Sequence, residues 1–306
     1  PSKDRLKAKY LGEIMFRAIA IILSLLAAVA LAFGAQLQND SIEKNADKVK
    51  GAKRGVDLKH IAGLIKNPRW LGGMSFLVLG ALCQIAALTM APLIVVQPIG
   101  ALALVITALL NARSTKTKIT KATWIAIALC TGGIATFVSL ATGIAQEQKE
   151  LSDGQLIVIL GILAFLLVAL GAVFLVQRQN LSALTFILGA GLLYGLLATL
   201  VKSVIQRIQQ SHFEWLTITC LVAAVLAMAL GGWFVQNAYA SGPPDLVIAG
   251  LTVIDPMVAV TIGIIVLGEA ASAGPVISVI FAASGAVAAY GVWLLSRVHP
   301  ELKAQR

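Results

Sequence analysis

The sequence predicts an all-α, polytopic membrane protein of about nine transmembrane helices, arranged as two inverted repeats around a linking helix. Three observations predict it. First, the 306 residues are 58% hydrophobic and only 12% charged, about half the charge that soluble domains carry. Second, the apolar residues fall in blocks of about 20, the length that crosses a bilayer core. Third, stretches in the two halves of the chain repeat each other. The first two observations exclude a soluble enzyme, a disulfide-stapled secreted module and a disordered chain.

The spans lie near residues 11–36, 70–90, 92–111, 122–143, 155–177, 184–204, 215–238, 244–267 and 273–296. Each is largely apolar and bounded by charged or Gly/Pro-bearing links. Helices are required, because a barrel would show alternating strands of roughly 10 residues. The first span follows Lys3, Arg5, Lys7 and Lys9, as a signal peptide would. Its apolar stretch is longer than a usual signal core and eight spans follow, so it reads as a helix. Glu13 and Arg17 can pair on one face at its start.

Net charge is +10, but the basic residues sit between apolar blocks, a pattern of membrane orientation rather than nucleic-acid binding. With the C-terminus cytoplasmic and the N-terminus outside, 16 Lys and Arg are inside and 8 outside. The N-terminal cluster alone dissents. The expected location is therefore the cell membrane in that orientation. The basic link 40–69, expected in the cytoplasm, contains Lys44, Lys48, Lys50, Lys53, Arg54, Lys59, Lys66 and Arg69 with interspersed apolar residues. It reads as a solvated positive-inside loop or as an interfacial helix on anionic lipid that gates a cavity.

The repeat is clearest where Val95-Val96-Gln97-Pro98-Ile99-Gly100-Ala101-Leu102 resembles Val253-Ile254-Asp255-Pro256-Met257-Val258-Ala259-Val260. Each has a polar residue before a proline within an apolar helix. Asn111 lies fourteen residues after Gln97, and Glu269 fourteen after Asp255. Trp70-Leu71 and Trp215-Leu216 open the preceding spans, and the ends of the first and sixth spans match weakly, aligning Gln38 with Lys202. The repeats are then 1–143 (helices 1–4) and 184–306 (helices 6–9), with helix 5 in the linker 144–183. An odd connecting span inverts the second unit. Inverted repeats recur in secondary transporters, with the solute site where the repeats meet.

Trp70-Leu71-Gly72-Gly73, Gly80, Ala86-Ala87, Ala91-Pro92 and Val95 to Leu102 resemble the drug/metabolite transporter (EamA-like) superfamily. The branch that they resemble most is the NIPA-like group, associated with magnesium transport, and its bacterial relatives. Gln38 before a basic loop and Leu267-Gly268-Glu269 are similar to that branch as well. The likeness covers most of residues 20–112 and 215–295, and it identifies a fold better than a substrate. The branch tends to have an acid where this chain has Asn111, which weakens the case for a divalent cation.

Asp255 is the leading candidate site residue. A carboxylate mid-span is costly unless paired, protonated or hydrated, and Pro256 loosens the helix beside it, as Pro98 does after Gln97. Asp255 could bind a cation or carry a coupling proton, or be a buried structural acid. Gln38, Gln84, Gln97, Gln236 and Asn237 can replace water around a polar solute or tie helices together. Lys202 can pair with an acid across a cavity, attract an anionic headgroup, or snorkel to the interface. Glu269, where exposure to water would cost little, reads as a cap or gate with Asn111. Gly189, Gly191, Gly195, Gly285 and Ala289 read as small faces for close helix packing.

No His-Glu-x-x-His motif or paired nucleophile and base is present, so enzymatic function is not expected. His60, His212 and His299 are scattered over links, and Cys83, Cys130 and Cys220 lie in apolar blocks. No cofactor is expected, and a metal only as cargo at Asp255. The function expected is a secondary transporter moving a small cation or polar metabolite by alternating access around a central polar cavity. The alternatives are a flippase of a lipid-linked head group and a non-transporting membrane scaffold. Expected partners are the solute or head group and anionic lipids along 40–69, with no nucleic acid; oligomeric state is open.

Overall fold

The structure is a computed structural model, and it describes residues 2–46, 68–114, 119–145, 151–176, 182–211, 214–241 and 244–298. Among these the secondary structure is helical: α1 Ser2–Ala46, α2 Pro68–Met90, α3 Leu93–Gly100, α4 Leu102–Ser114, α5 Lys121–Ile144, α6 Asp153–Val176, α7 Ala183–Gln209, α8 Trp215–Ser241, α9 Pro244–Ile265 and α10 Pro275–Val298. Nine spans among the described residues are long and apolar enough to cross a membrane. The protein is a multi-pass, all-helical membrane protein. Most of the basic link 40–69, with its expected interfacial helix, lies outside the described residues.

Three helices differ from the sequence expectation, and α1 does so by reaching from Ser2 to Ala46, past the expected close at Gln38. The third span is broken: Pro98 supplies no amide to the carbonyl of Ile94, and a turn at Ala101 divides α3 from α4. The sixth span runs on to Gln209, beyond the expected end at 204. Arg207 explains the extension. It is 5% exposed, and it donates to the Leu151 carbonyl at 3.0 Å and to Asp153. With its charge met by the start of α6, the helix continues.

Side-chain oxygens of the preceding residue begin three of the helices, Ser152 accepting from the Gln155 amide to start α6. Thr120 accepts from the Thr123 amide to start α5, and Ser182 accepts from Thr185 to start α7. The last turn of α9 ends on Gly268, whose φ of 64° is the left-handed conformation that glycine adopts without strain. The Glu269 amide then donates back to the Gly263 carbonyl, so the chain reverses and the Glu269 side chain is carried toward the bundle.

The core is centred on α3, where Leu93, Ile94, Val95 and Val96 are wholly buried. This short helix touches α1, α2, α5, α7 and α9. The most extensive packing is of α1 on α2, α7 on α8, α5 on α10 and α7 on α9. Glycines allow the close approaches. A Cβ at Gly291 would lie 2.3 Å from the Cys130 nitrogen, and one at Gly133 would lie 2.6 Å from the Ala288 nitrogen. At α7, Gly191 and Gly195 face Ile254 and Val258 of α9, and Gly189 faces Phe234 of α8. By contrast α6 leaves Phe165, Val168, Leu175 and Val176 exposed, as a helix lying against lipid does.

Candidate functional site

Asp255 sits in α9 against the glycine face of α7. Its backbone nitrogen is 3.6 Å from where a Gly191 Cβ would be, and its carbonyl oxygen 2.8 Å from the Gly195 position. Pro256 removes the amide that would bond to the Thr252 carbonyl, but α9 runs unbroken through it from Pro244 to Ile265, so the expected break is a missing hydrogen bond only. The carboxylate oxygen Oδ1 is buried and has no hydrogen-bond partner. Tyr194 of α7 is within electrostatic reach of Asp255, with its ring packed against Gly231 of α8. Tyr194 escapes a sequence reading, because one tyrosine in an apolar helix carries no pattern.

Pro98 and Pro256 are brought together. Both line a cavity of about 90 Å³ with Ala101, Ile134, Phe137 and Val260. Its lining is apolar apart from Thr252, whose hydroxyl donates to the Ile248 carbonyl at 2.7 Å. The candidate amides do not line it. Gln97 is buried in α3, one residue before the proline. Gln84 is half-buried on α2, with its side-chain oxygen unpartnered. Gln236 is exposed. Asn237 turns back on its own helix and donates to the Trp233 carbonyl at 2.7 Å. The side chains of Gln38 and Asn111 lie outside the described residues.

Lys202 and Glu269 meet at the turn between α2 and α3. Lys202 lies two turns inside α7 and is wholly buried, so it does not snorkel to the interface. Its ammonium donates to the carbonyls of Leu88 at 2.7 Å and Ala91 at 3.0 Å. Glu269 is 2% exposed, so a helix-end acid expected at the water surface is buried instead. Its Oε1 accepts from the Leu93 amide and Oε2 from the Ile94 amide, each at 2.9 Å. The next two amides, of Val95 and Val96, bond to the Pro92 carbonyl. All four amides that open α3 are therefore satisfied.

The same face of the bundle carries further ties. Gln209 donates to the Thr89 carbonyl at 3.1 Å, and Gln155 to the Val266 carbonyl at 2.9 Å. Arg17 donates to the carbonyls of Thr142 and Ala145 at the end of α5. Arg17 also borders a cavity of about 530 Å³ with Ile14, Ser139 and Ser272. Among the described residues, no group of three or more His, Cys, Asp or Glu side chains could hold a metal ion. The chemistry present is that of an unpartnered carboxylate oxygen of Asp255 between close-packed helices, and of three buried charges, on Lys202, Arg207 and Glu269, that bond to the ends of other helices.

Comparison with known proteins adds the family. The family model described as Magnesium transporter NIPA matches residues 16–185. A probable magnesium transporter of Arabidopsis thaliana, NIPA9, is 25% identical over 231 residues, which is 72% of this chain and 67% of that protein. An uncharacterized protein of Corynebacterium glutamicum is 24% identical over 82% of this chain and 85% of its own length. A probable magnesium transporter of Candida albicans is 41% identical over 58 residues, 19% of this chain and 16% of that protein. No solved structure matches. Since the family model spans more than half of its length, the chain belongs to the magnesium transporter NIPA family, as a membrane transporter and not an enzyme.

Proposed function

We propose that the protein is a secondary transporter of a small cation, magnesium being the first candidate, and that it works by alternating access between two inverted halves. The observation that carries the cation is the buried, unpartnered carboxylate oxygen of Asp255 beside Pro256. A buried carboxylate oxygen without a hydrogen-bond partner is destabilising by itself and is relieved by a cation or a proton. The family membership and the printed names of its relatives favour magnesium.

Magnesium keeps several of its waters and binds through one or two carboxylates. A lone acid therefore suits a partly hydrated ion better than a stripped one. The packing of the helices supports the repeat. Helix α1 lies on α2 as α7 lies on α8, and α1 touches α3 and α4 as α7 touches α9. Helix α3 meets α9, and α5 meets α10, across the boundary between the halves. The distribution of Lys and Arg favours a cytoplasmic C-terminus in the cell membrane, which puts the α2–α3 turn on the outer face.

The test is uptake into vesicles reconstituted with purified protein and loaded with a magnesium-sensitive dye. The wild-type chain should raise internal magnesium, and Asp255→Asn should abolish the uptake while remaining monodisperse. Uptake by Asp255→Asn at the wild-type rate would remove the acid from the mechanism. Failure of the wild type with magnesium, but success with an organic cation, would move the proposal to that cation.

A further inference from the structure

The α2–α3 turn is held from both sides by the second half of the chain. The carbonyls of Leu88 and Ala91, at the negative end of α2, receive the Lys202 ammonium. The amides of Leu93 and Ile94, at the positive end of α3, receive the Glu269 carboxylate. Each charge meets the helix end of opposite sign, and each hydrogen bond is charge-assisted. Three residues make the grip possible. Gly268 reverses the chain, and Gly263 leaves the space where a Cβ would come within 2.8 Å of Glu269 Oε2. Pro92 frees the turn from the preceding helix while its carbonyl serves Val95 and Val96.

We propose that Lys202 and Glu269 are the positioning pair of transport: they hold the α2–α3 turn, and with it Gln97 and Pro98, against the second half at one membrane face, and both grips release in each transport cycle. This rests on the alternating-access reading above, and it adds the contacts that must break. The turn is close in sequence to the proline cavity: Pro98, which lines it, lies five residues beyond Leu93, where Glu269 acts. Neither residue need touch the solute. Their effect is on where α3 sits relative to α9, which carries Asp255.

The grip is read directly by amide hydrogen exchange on the full-length protein in lipid nanodiscs. Glu269→Gln is nearly isosteric but loses the charge and one of the two acceptors. It should speed exchange across residues 91–96 by at least roughly tenfold, with α6 and α8 unchanged. Lys202→Met, which keeps the length of the side chain, should act on the same segment. Unchanged exchange in both variants would overturn the grip. In the wild type, the chloride salt of whichever cation the vesicle assay shows to be taken up, added to both sides, should speed exchange in that segment, and no change with a transported cation would overturn the release.

The double exchange Lys202→Glu with Glu269→Lys separates helix-end capping from a simple mutual ion pair. It places like charge at each helix end, so fast exchange should persist. Recovery of wild-type exchange would overturn the proposal. The comparison of variants needs no transported solute, so it stands whether or not the wild type takes up magnesium. Absence of uptake by the wild type would count against the transport reading alone.

Discussion

A single methyl group added at Gly195 tests the packing that sets the position of Asp255. A Cβ there would lie 2.6 Å from Val258 Cβ, 2.7 Å from Val258 Cγ1 and 2.8 Å from the Asp255 carbonyl oxygen. Carbon atoms rest about 3.5–4.0 Å apart, so α7 and α9 would have to separate by about 1 Å. The carbonyl is backbone and cannot rotate away, and Val258 has one preferred rotamer in a helix. Overpacking of this kind costs about 1–3 kcal/mol. Gly195→Ala should therefore melt several degrees below the wild type in detergent and should transport more slowly, because α9 carries the acid. Gly161→Ala in α6 is the control: nothing lies within 4 Å of its added Cβ, and alanine has the higher helix propensity. If the two variants melted within a degree of each other, the close approach of α7 to α9 would be refuted, and with it the placement of Asp255 against α7.

Arg207→Met should loosen the start of α6, because it deletes the donors to the Leu151 carbonyl and to Asp153. A cost of about 1–3 kcal/mol is expected, read as a lower melting temperature and as faster proteolysis between α5 and α6. Thr120→Ala removes the acceptor for the Thr123 amide at the start of α5. It should lower stability by about 1 kcal/mol and leave the uptake rate per folded molecule unchanged.

The spans were legible because hydropathy and length are properties of the chain alone. The glycine faces were legible for a similar reason: Gly191 and Gly195 lie four apart in an apolar helix, and the structure places Ile254 and Val258 against them. The repeated Gln/Asp-Pro motif pointed to two prolines, and these do line one cavity. What it could not convey is the character of that cavity, because the side chains facing it come from α5 and α10 as well. Lys202 illustrates a different limit. The apolar stretch fades after residue 204, yet α7 continues because Asp153 and the Leu151 carbonyl, about fifty residues earlier, meet Arg207. Burial of Glu269 depends on the left-handed turn at Gly268 and on the absence of a side chain at Gly263. Long-range partners of this kind leave no local periodicity to read.

Lys202, Glu269 and Asp255 divide into two kinds, and the division makes a prediction about Asp255. Lys202 and Glu269 are matched to helix ends, so removing either leaves backbone groups without partners and should destabilise the fold. The Oδ1 oxygen of Asp255 has no partner, so its removal takes away a desolvation cost and leaves little behind. Replacing a buried ionisable group of that kind is often neutral or stabilising. Asp255→Asn should accordingly melt at or above the wild-type temperature in the absence of magnesium, even as uptake is lost. Added magnesium should raise the melting temperature of the wild type, because a solute that binds only the folded state stabilises it, and should leave the variant unmoved. A clear fall in the melting temperature of Asp255→Asn without magnesium would mean that the carboxylate holds the helices together, and the reason for placing the cation there would be gone.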